Sequence, residues 1–292
     1  MAILVGILAI AALTALTATR SIHTWPIVTL TLIAGLIGVA IYVTVCYPPL
    51  PNKRVKLTHH LQTRHIQIIQ GRLSQSWPKP PYKSGPQPSK VAYYLFVLGS
   101  GGHTKEMLMM MDDGKHEFGS FHRRYLISSG DSMSLHHLED YEAQLNQESN
   151  SPGTYDTRVV TRARRVHQPL WSTPLSALRS ILDIFPVLMS PPENAAGNTP
   201  RYPEAVFSNG PATGFFVALA VHFLKLVSLV PDDATRFIYI ESWARISTLS
   251  LTGKLLYYTG LADAFYVQHQ EVADRYGLVN AGEMVFNAQR TS

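Results

Sequence analysis

Cysteine is nearly missing from this 292-residue chain: Cys46 stands alone. An intrachain disulfide framework is therefore excluded, and so is a zinc site built on CxxC pairs. Charge is sparse too. Lys, Arg, Asp and Glu make up 15% of the residues, against about a quarter in an ordinary soluble globule, which points to part of the chain residing in lipid. Acids are absent from the first 90 positions, and no Asn-x-Ser/Thr sequon occurs, as fits a domain facing the cytosol. Gly and Pro, 19 of each, are too few for a fibrous or wholly disordered protein.

The net charge of +5 belongs to one segment. Residues 50–90 carry Lys53, Arg54, Lys56, Arg64, Arg72, Lys79, Lys83 and Lys90 without a single acid. Beyond residue 90, all 20 acids face 16 of the 25 basic residues, a net of −4. A nucleic-acid-binding domain carries its positive charge on the folded surface; this one does not, so nucleic acid is excluded as a partner.

Two apolar runs open the chain, residues 2–19 and 26–47. A membrane span needs about 20 apolar residues, which makes the second run the stronger candidate. The first lacks the basic start of a signal peptide. Residues 1–48 are expected to form a membrane anchor of one helix or a two-helix hairpin. Lys53, Arg54 and Lys56 then place the following chain in the cytosol by the positive-inside rule. The later run 213–230 is interrupted by His222, Lys225 and Ser228 and reads as a buried helix. Residues 49–90 form a basic juxtamembrane segment and a Pro-rich linker. Within it, Leu57, Leu61, Ile68 and Ile69 fall roughly on helical spacing, as in either a helix on an anionic membrane surface or a solvated stalk.

From residue 91 the pattern becomes strands alternating with helices. Apolar runs at 91–98, 125–128, 205–208, 237–240 and 264–267 suit strands buried on both faces of a parallel sheet. Helices are expected at 104–111, 134–146, 174–188, 213–227 and 248–258. The alternation predicts one doubly wound, Rossmann-like α/β domain over 91–292.

Ligands of such sheets bind beyond the carboxyl ends of the strands, and three turns there have unusual composition. Gly99-Ser100-Gly101-Gly102-His103 lets backbone approach a ligand, with a helix N-terminus behind it to meet a phosphate. It matches neither GxxxxGK(S/T) nor GxGxxG, and its alternative reading is a tight turn. Ser208-Asn209-Gly210-Pro211-Ala212-Thr213-Gly214 is a second anion-facing candidate, or a capped turn. Glu241 ends a strand, where an acid either meets a hydroxyl, orients a base or caps a helix. Arg162, Arg164 and Arg165 read as a solvated basic cluster. His136-His137 lacks a third ligand at helical spacing, and the run 107–111 reads as a core-facing helix. There is no GxSxG elbow and no DxD, so neither metal nor cofactor is expected.

Together LGSGGHTKEM (98–107), SNGPATG (208–214) and IYIESWARISTLSLTGKLLYY (238–258) resemble one family over residues 91–285. It is the membrane-anchoring subunit of the endoplasmic-reticulum UDP-N-acetylglucosamine transferase, which adds the second GlcNAc to dolichol-diphosphate-GlcNAc. The resemblance implies the N-terminal half of a GT-B glycosyltransferase, whose bacterial relative, the lipid-linked muramyl-peptide N-acetylglucosaminyltransferase, carries both halves in one chain. It implies a soluble catalytic partner that supplies the UDP-GlcNAc-binding half of a heterodimer. It further implies an endoplasmic-reticulum membrane location with the domain facing the cytosol.

On that resemblance, Gly99, Ser100, Gly101, Gly102, Ser208, Asn209, Gly210, Thr213 and Gly214 would face the acceptor diphosphate and the cleft. His103 is the candidate base, since an imidazole titrates near working pH, and Glu241 positions it or binds the sugar. The tail 276–287, with Val285 and Phe286, docks the partner or packs on its own domain. Two other readings stand beside this one: a self-sufficient membrane-bound glycosyltransferase, and a pure anchor without catalytic residues.

Overall fold

In the computed structural model, residues 63–68, 70, 91–112, 121–163, 173–195, 197, 199–210 and 212–282 are described. Both N-terminal apolar runs, Arg164, Arg165, Pro211, Val285 and Phe286 lie outside them. No helix among the described residues is long and apolar enough to cross a membrane. The chain divides into two compact units, one comprising Met1–Ile66 with His167–Pro174 and the other Gln67–Val166 with Leu175–Ser292. Residues 63–68 are helical within the basic segment, with Ile66 exposed and Ile68 buried.

Strands and helices alternate without interruption through the second unit. They are β1 Ala92–Val97, α1 Gly102–Met111, β2 Phe121–Ser128, α2 Ser132–Glu148, β3 Thr154–Val160 and α3 Thr173–Met189. After these come β4 Ala205–Ser208, α4 Ala212–Leu226, β5 Arg236–Ile240, α5 Leu251–Thr259, β6 Ala264–Val267, α6 Gln270–Tyr276 and β7 Val279–Asn280. One sheet contains every strand, in the order β3-β2-β1-β4-β5-β6-β7, and every pairing is parallel. This is the Rossmann-like α/β architecture expected from the alternation.

Successive strand side chains point to opposite faces, and both faces are covered. On one face Phe96, Leu98, Tyr125, Ile127, Ile238 and Ile240 pack with Met107 and Leu108 of α1 and Leu138 of α2. On the other, Leu95, Val97, Leu126, Phe237 and Tyr239 pack with Ile184 and Leu188 of α3, Val217 and Val221 of α4, and Leu256 of α5. The methionine-rich run is thus core-facing, and the 213–230 run is a largely buried helix up to Leu226, followed by a turn. Its Lys225 is almost fully enclosed and lies 3.7 Å from Asp263.

β2 begins four residues earlier than its apolar run, because His122, Arg123 and Arg124 are wholly buried within it. Each arginine is paired on its own face. Arg123 donates Nε and Nη2 to Glu142 of α2 at 2.9 and 2.8 Å, and Tyr125 donates to the same carboxylate. Arg124 lies directly opposite Asp156 in the β2–β3 register and donates to it at 2.8 and 2.6 Å. Its remaining N–H groups reach the carbonyls of Val187, Ser190 and Pro191 at the end of α3.

Three further elements depart from the sequence reading. β3 is a strand of mixed polarity, α6 is a two-turn helix, and β7 extends the sheet where a docking tail was expected. Val279 and Asn280 pair with Tyr266 and Val267, so this part of the 276–287 stretch packs on its own domain.

Burial alone would raise the Asp156 carboxyl. The hydrogen bonds from Arg124 and the Glu193 N–H, the nearby His122 ring and the Arg124 charge outweigh it and hold the group far below the usual carboxylate range. A depressed carboxyl stabilises the fold above its unfolded pKa, and that stability is lost as pH falls toward the folded value. Asp156→Asn leaves a buried guanidinium short of its counter-charge and is expected to cost about 3–5 kcal/mol at pH 7. The gap from the parent chain should narrow by about 1 kcal/mol at pH 3. Denaturant unfolding of the detergent-solubilised full chain at both pH values checks this, and a gap that does not narrow contradicts the ion-pair account.

Candidate functional site

β2 lies on one side of β1 and β4 on the other, so the strand order reverses between β1 and β4. A crevice opens at such a reversal beyond the carboxyl ends of the strands. The two glycine-containing turns meet there. In the first, the buried Gly99 carbonyl accepts from the hydroxyls of Thr104 and Ser134, the latter at 2.6 Å. Gly101 stands before α1 with φ 53°, a left-handed conformation that disfavours any side chain. α1 has no side-chain cap; the His103 N–H turns back to the Ser100 carbonyl at 3.3 Å, and the positive end of the helix dipole faces the turn. A Cβ on Gly102 would meet nothing within 4 Å, and Ser100 is exposed.

The second turn braces the first. Asn209, fully buried, donates Nδ2 to the His103 carbonyl at 2.7 Å. Gly210, at φ +135°, lies flat against the imidazole: a Cβ there would stand 2.9 Å from His103 Cε1. Thr213 and Ser208 face inward instead. Thr213 Oγ1 lies 3.0 Å from Ser128 Oγ, and a Cβ on Gly214 would overlap the Ser208 hydroxyl. Of the residues expected to face a ligand, Ser100, Gly102, His103 and Gly210 border the opening. Ser208, Asn209, Thr213 and Gly214 hold the turns in place.

Glu241 is nearly fully buried and does not reach His103. Its Oε1 accepts from the Ser242 N–H at 3.1 Å and the Tyr239 hydroxyl at 3.3 Å. Its Oε2 accepts from the Ser250 N–H and hydroxyl at 3.0 and 3.1 Å. Ser250 in turn caps α5 by accepting from the Gly253 N–H. Burial pushes the Glu241 carboxyl up, against the opposing pull of these hydrogen bonds. It fastens the ends of the 242–250 loop.

The carboxylate beside His103 is Glu106, one helical turn further along α1. Glu106 Oε2 lies 3.8 Å from His103 Nδ1, a nitrogen with no hydrogen-bond partner among the described residues. Glu106 also accepts from the Trp243 N–H at 2.6 Å, the Ser242 hydroxyl at 2.9 Å and Gln268 Nε2 at 2.9 Å. It therefore ties α1 to the turns after β5 and β6. Burial alone would raise its pKa, but contact with His103 and the three hydrogen bonds outweigh that and hold it below the ordinary value. His269 Nε2, beside Gln268, lies 2.6 Å from the Trp243 carbonyl oxygen.

Sequence reasoning missed Glu106, Gln268 and His269, though a signal existed for each. Positions i and i+3 share a helix face, which sets Glu106 beside His103. Gln268 and His269 stand at the carboxyl end of 264–267, where the strand-end rule applies equally. Among the other candidates, Arg162 Nη2 lies 3.7 Å from Asp131 and exposed His136 lies 3.5 Å from Asp140. Among the described residues no three His, Cys, Asp or Glu side chains gather closely enough to hold a metal ion.

Fold and turns together define a Rossmann-like α/β domain whose two glycine turns meet at the reversal of its strand order. Residues 94–282 match the family described as "Oligosaccharide biosynthesis protein Alg14 like", and the chain belongs to that family. The UDP-N-acetylglucosamine transferase subunit ALG14 of Cryptococcus neoformans var. neoformans serotype D (strain JEC21) is 32% identical over 206 residues, covering 68% of this chain and 83% of the relative. Its Debaryomyces hansenii counterpart is 32% identical, with 62% and 71% covered. The Mus musculus counterpart is 29% identical, with 62% and 77% covered. No solved structure matches significantly.

The bonding of Glu241 predicts a stability role. In Glu241→Gln an amide N–H must face a donor at one of the two carboxylate positions, which leaves a buried backbone N–H of Ser242 or Ser250 unpaired. The expected loss is about 1–3 kcal/mol, measured by thermal unfolding of the full chain in detergent. An unchanged melting temperature contradicts the bracing role.

Proposed function

We propose that this chain is the acceptor-side, membrane-anchoring subunit of a heteromeric UDP-GlcNAc transferase acting on dolichol-diphosphate-GlcNAc, the step that adds the second GlcNAc of an N-glycan precursor. The observation that carries the reading is a half-open imidazole, its side chain 36% exposed, set between an uncapped helix N-terminus and a glycine turn. That arrangement suits a diphosphate with a sugar hydroxyl beside it. Three relatives named as UDP-GlcNAc transferase subunits support the reaction class. The Rossmann-like sheet fits the N-terminal half of a GT-B enzyme, in which two such domains face each other.

In this reading the Gly99–Gly102 backbone and the start of α1 hold the acceptor diphosphate. Gly210 keeps the His103 ring at the cleft wall, and Glu241 holds the neighbouring loop rather than touching substrate. His103 Nε2 takes the proton of the acceptor hydroxyl. Its oxygen bonds to the anomeric carbon of the donor GlcNAc, and the bond from that carbon to UDP breaks with the electron pair leaving on UDP. A soluble catalytic subunit brings UDP-GlcNAc. Residues 1–48 anchor the chain in the endoplasmic-reticulum membrane with the domain toward the cytosol, 49–90 link the two, and Val285 and Phe286 contribute to docking the partner.

The decisive assay supplies the purified full-length chain in detergent with UDP-GlcNAc and a short-chain lipid-diphosphate-GlcNAc. Transfer is expected only when the soluble partner is added, and turnover by this chain alone overturns the split-site architecture. In the assembled enzyme, His103→Ala is expected to lower kcat by about 10²- to 10⁴-fold. Full activity of that variant would leave the chain as an anchor without a base. Gly210→Ala forces the imidazole aside and is expected to lower kcat by about 10²-fold; unaltered kcat contradicts the ring's placement against Gly210.

A further inference from the structure

Glu106 has two kinds of neighbour, and they fall on different atoms of its carboxylate. Oε1 receives the Trp243 N–H and Gln268 Nε2. Oε2 receives the Ser242 hydroxyl and faces His103 Nδ1 at 3.8 Å. The first set fixes the turns of β5 and β6 against α1. The second sets an anion against one nitrogen of an imidazole whose position is fixed by Gly210 packing on the ring and by Asn209 holding the His103 carbonyl. At 3.8 Å the contact is an electrostatic one rather than a hydrogen bond, and a negative, acceptor-only group on that side favours the tautomer with its proton on Nδ1 and the Nε2 lone pair open.

We propose that Glu106 is the positioning residue for His103, holding the imidazole proton on Nδ1 so that Nε2 is free to accept, a role that rests on the reading of His103 as the base. When Nε2 takes the acceptor's proton, the ring becomes an imidazolium with a carboxylate already in place. The positive charge is met without reorganisation, as in other base–carboxylate pairs. Glu241, which the sequence placed in this role, is occupied by donors of its own loop.

Glu106→Gln separates this role from the structural one. Its amide oxygen in the Oε1 place still accepts from Trp243 and Gln268. Its amide nitrogen in the Oε2 place donates to the Ser242 hydroxyl, which then acts as acceptor. Loop anchoring survives, while the group facing Nδ1 changes from acceptor to donor and imposes the opposite tautomer. In the assembled full-length enzyme, kcat is expected to fall about 10²- to 10⁴-fold with the KM values for both substrates unchanged. In a His103→Ala background the same substitution should add nothing, since residues acting as a unit are non-additive. Ser242→Ala, which removes one anchor and leaves the charge, should retain near-parental kcat.

A wild-type measurement stands beside these, independent of how any variant folds. Imidazole ¹⁵N shifts of the histidine-labelled full chain, assigned by the signal lost in His103→Gln, are expected to show the Nδ1–H form. An Nε2–H form, multiplicative losses in the double variant, or full kcat in Glu106→Gln while His103→Ala is impaired would each overturn this inference and leave the base assignment standing. Full kcat in His103→Ala would instead remove the base assignment itself.

Discussion

A parallel sheet covered by helices on both faces gives a charged side chain no route to water, so a charge within it must meet a partner or cost the fold several kcal/mol. That constraint organises this domain. Arg123 and Arg124, adjacent in β2, point to opposite faces, and each collects a partner on its own side. One binds α2 to the sheet through Glu142. The other binds β3 through Asp156 and the end of α3 through three carbonyls. Across the sheet, Lys225 of α4 lies within ion-pair reach of Asp263, whose carboxylate also accepts from the Phe237 N–H of β5. These pairs set the helices against the strands.

With the strand interiors closed, the carboxyl-end turns are where polar groups stay available to a ligand. The turns of β1, β4, β5 and β6 are cross-braced there by side chains. Asn209 joins the β4 turn to the β1 turn, and Glu106 joins α1 to the β5 and β6 turns. Gln268 reaches both Glu106 and the Glu241 carbonyl. Such bracing preorganises a site, since interactions that need no rearrangement during reaction contribute most to stabilising developing charge.

The sheet was legible where burial and apolarity coincide. The runs at 205–208 and 264–267 are strands with those same bounds, because no charged residue obscures them. The start of β2 was hidden by His122, Arg123 and Arg124, whose burial depends on partners 19 to 67 residues away that no local pattern reveals. β3 was hidden by its mixed polarity, and β7, two residues long, carries too little pattern to read. The glycine turns were legible from composition, but their division of labour was not. Which glycine has open space beside it and which packs on a serine depends on the approach of α4 to β2 and β4. The same gap explains the choice of Glu241 over Glu106: strand-end position marked the first, while only the turn of α1 brings the second beside the imidazole.

Those two carboxylates show how environment separates roles. Among the described residues the Glu241 carboxylate meets donors from Tyr239, Ser242 and Ser250, all close in sequence, and burial dominates its titration, pushing it up. Glu106 meets three donors from the turns after β5 and β6 and an imidazole as well, and these outweigh burial and hold it down. Groups whose surroundings push their titrations apart are suited to different tasks. A carboxyl shifted upward at the root of a loop is poorly placed to hold a full negative charge against a cation formed in reaction. One shifted downward, already ionised and facing Nδ1, is suited to it. His103 lies at the carboxyl end of the sheet with its side chain partly exposed, and that open side is where a reacting group can reach it. In the proposed enzyme that side belongs to the donor held by the partner subunit, so base and carboxylate on one chain would complete their chemistry only when the second chain is in place.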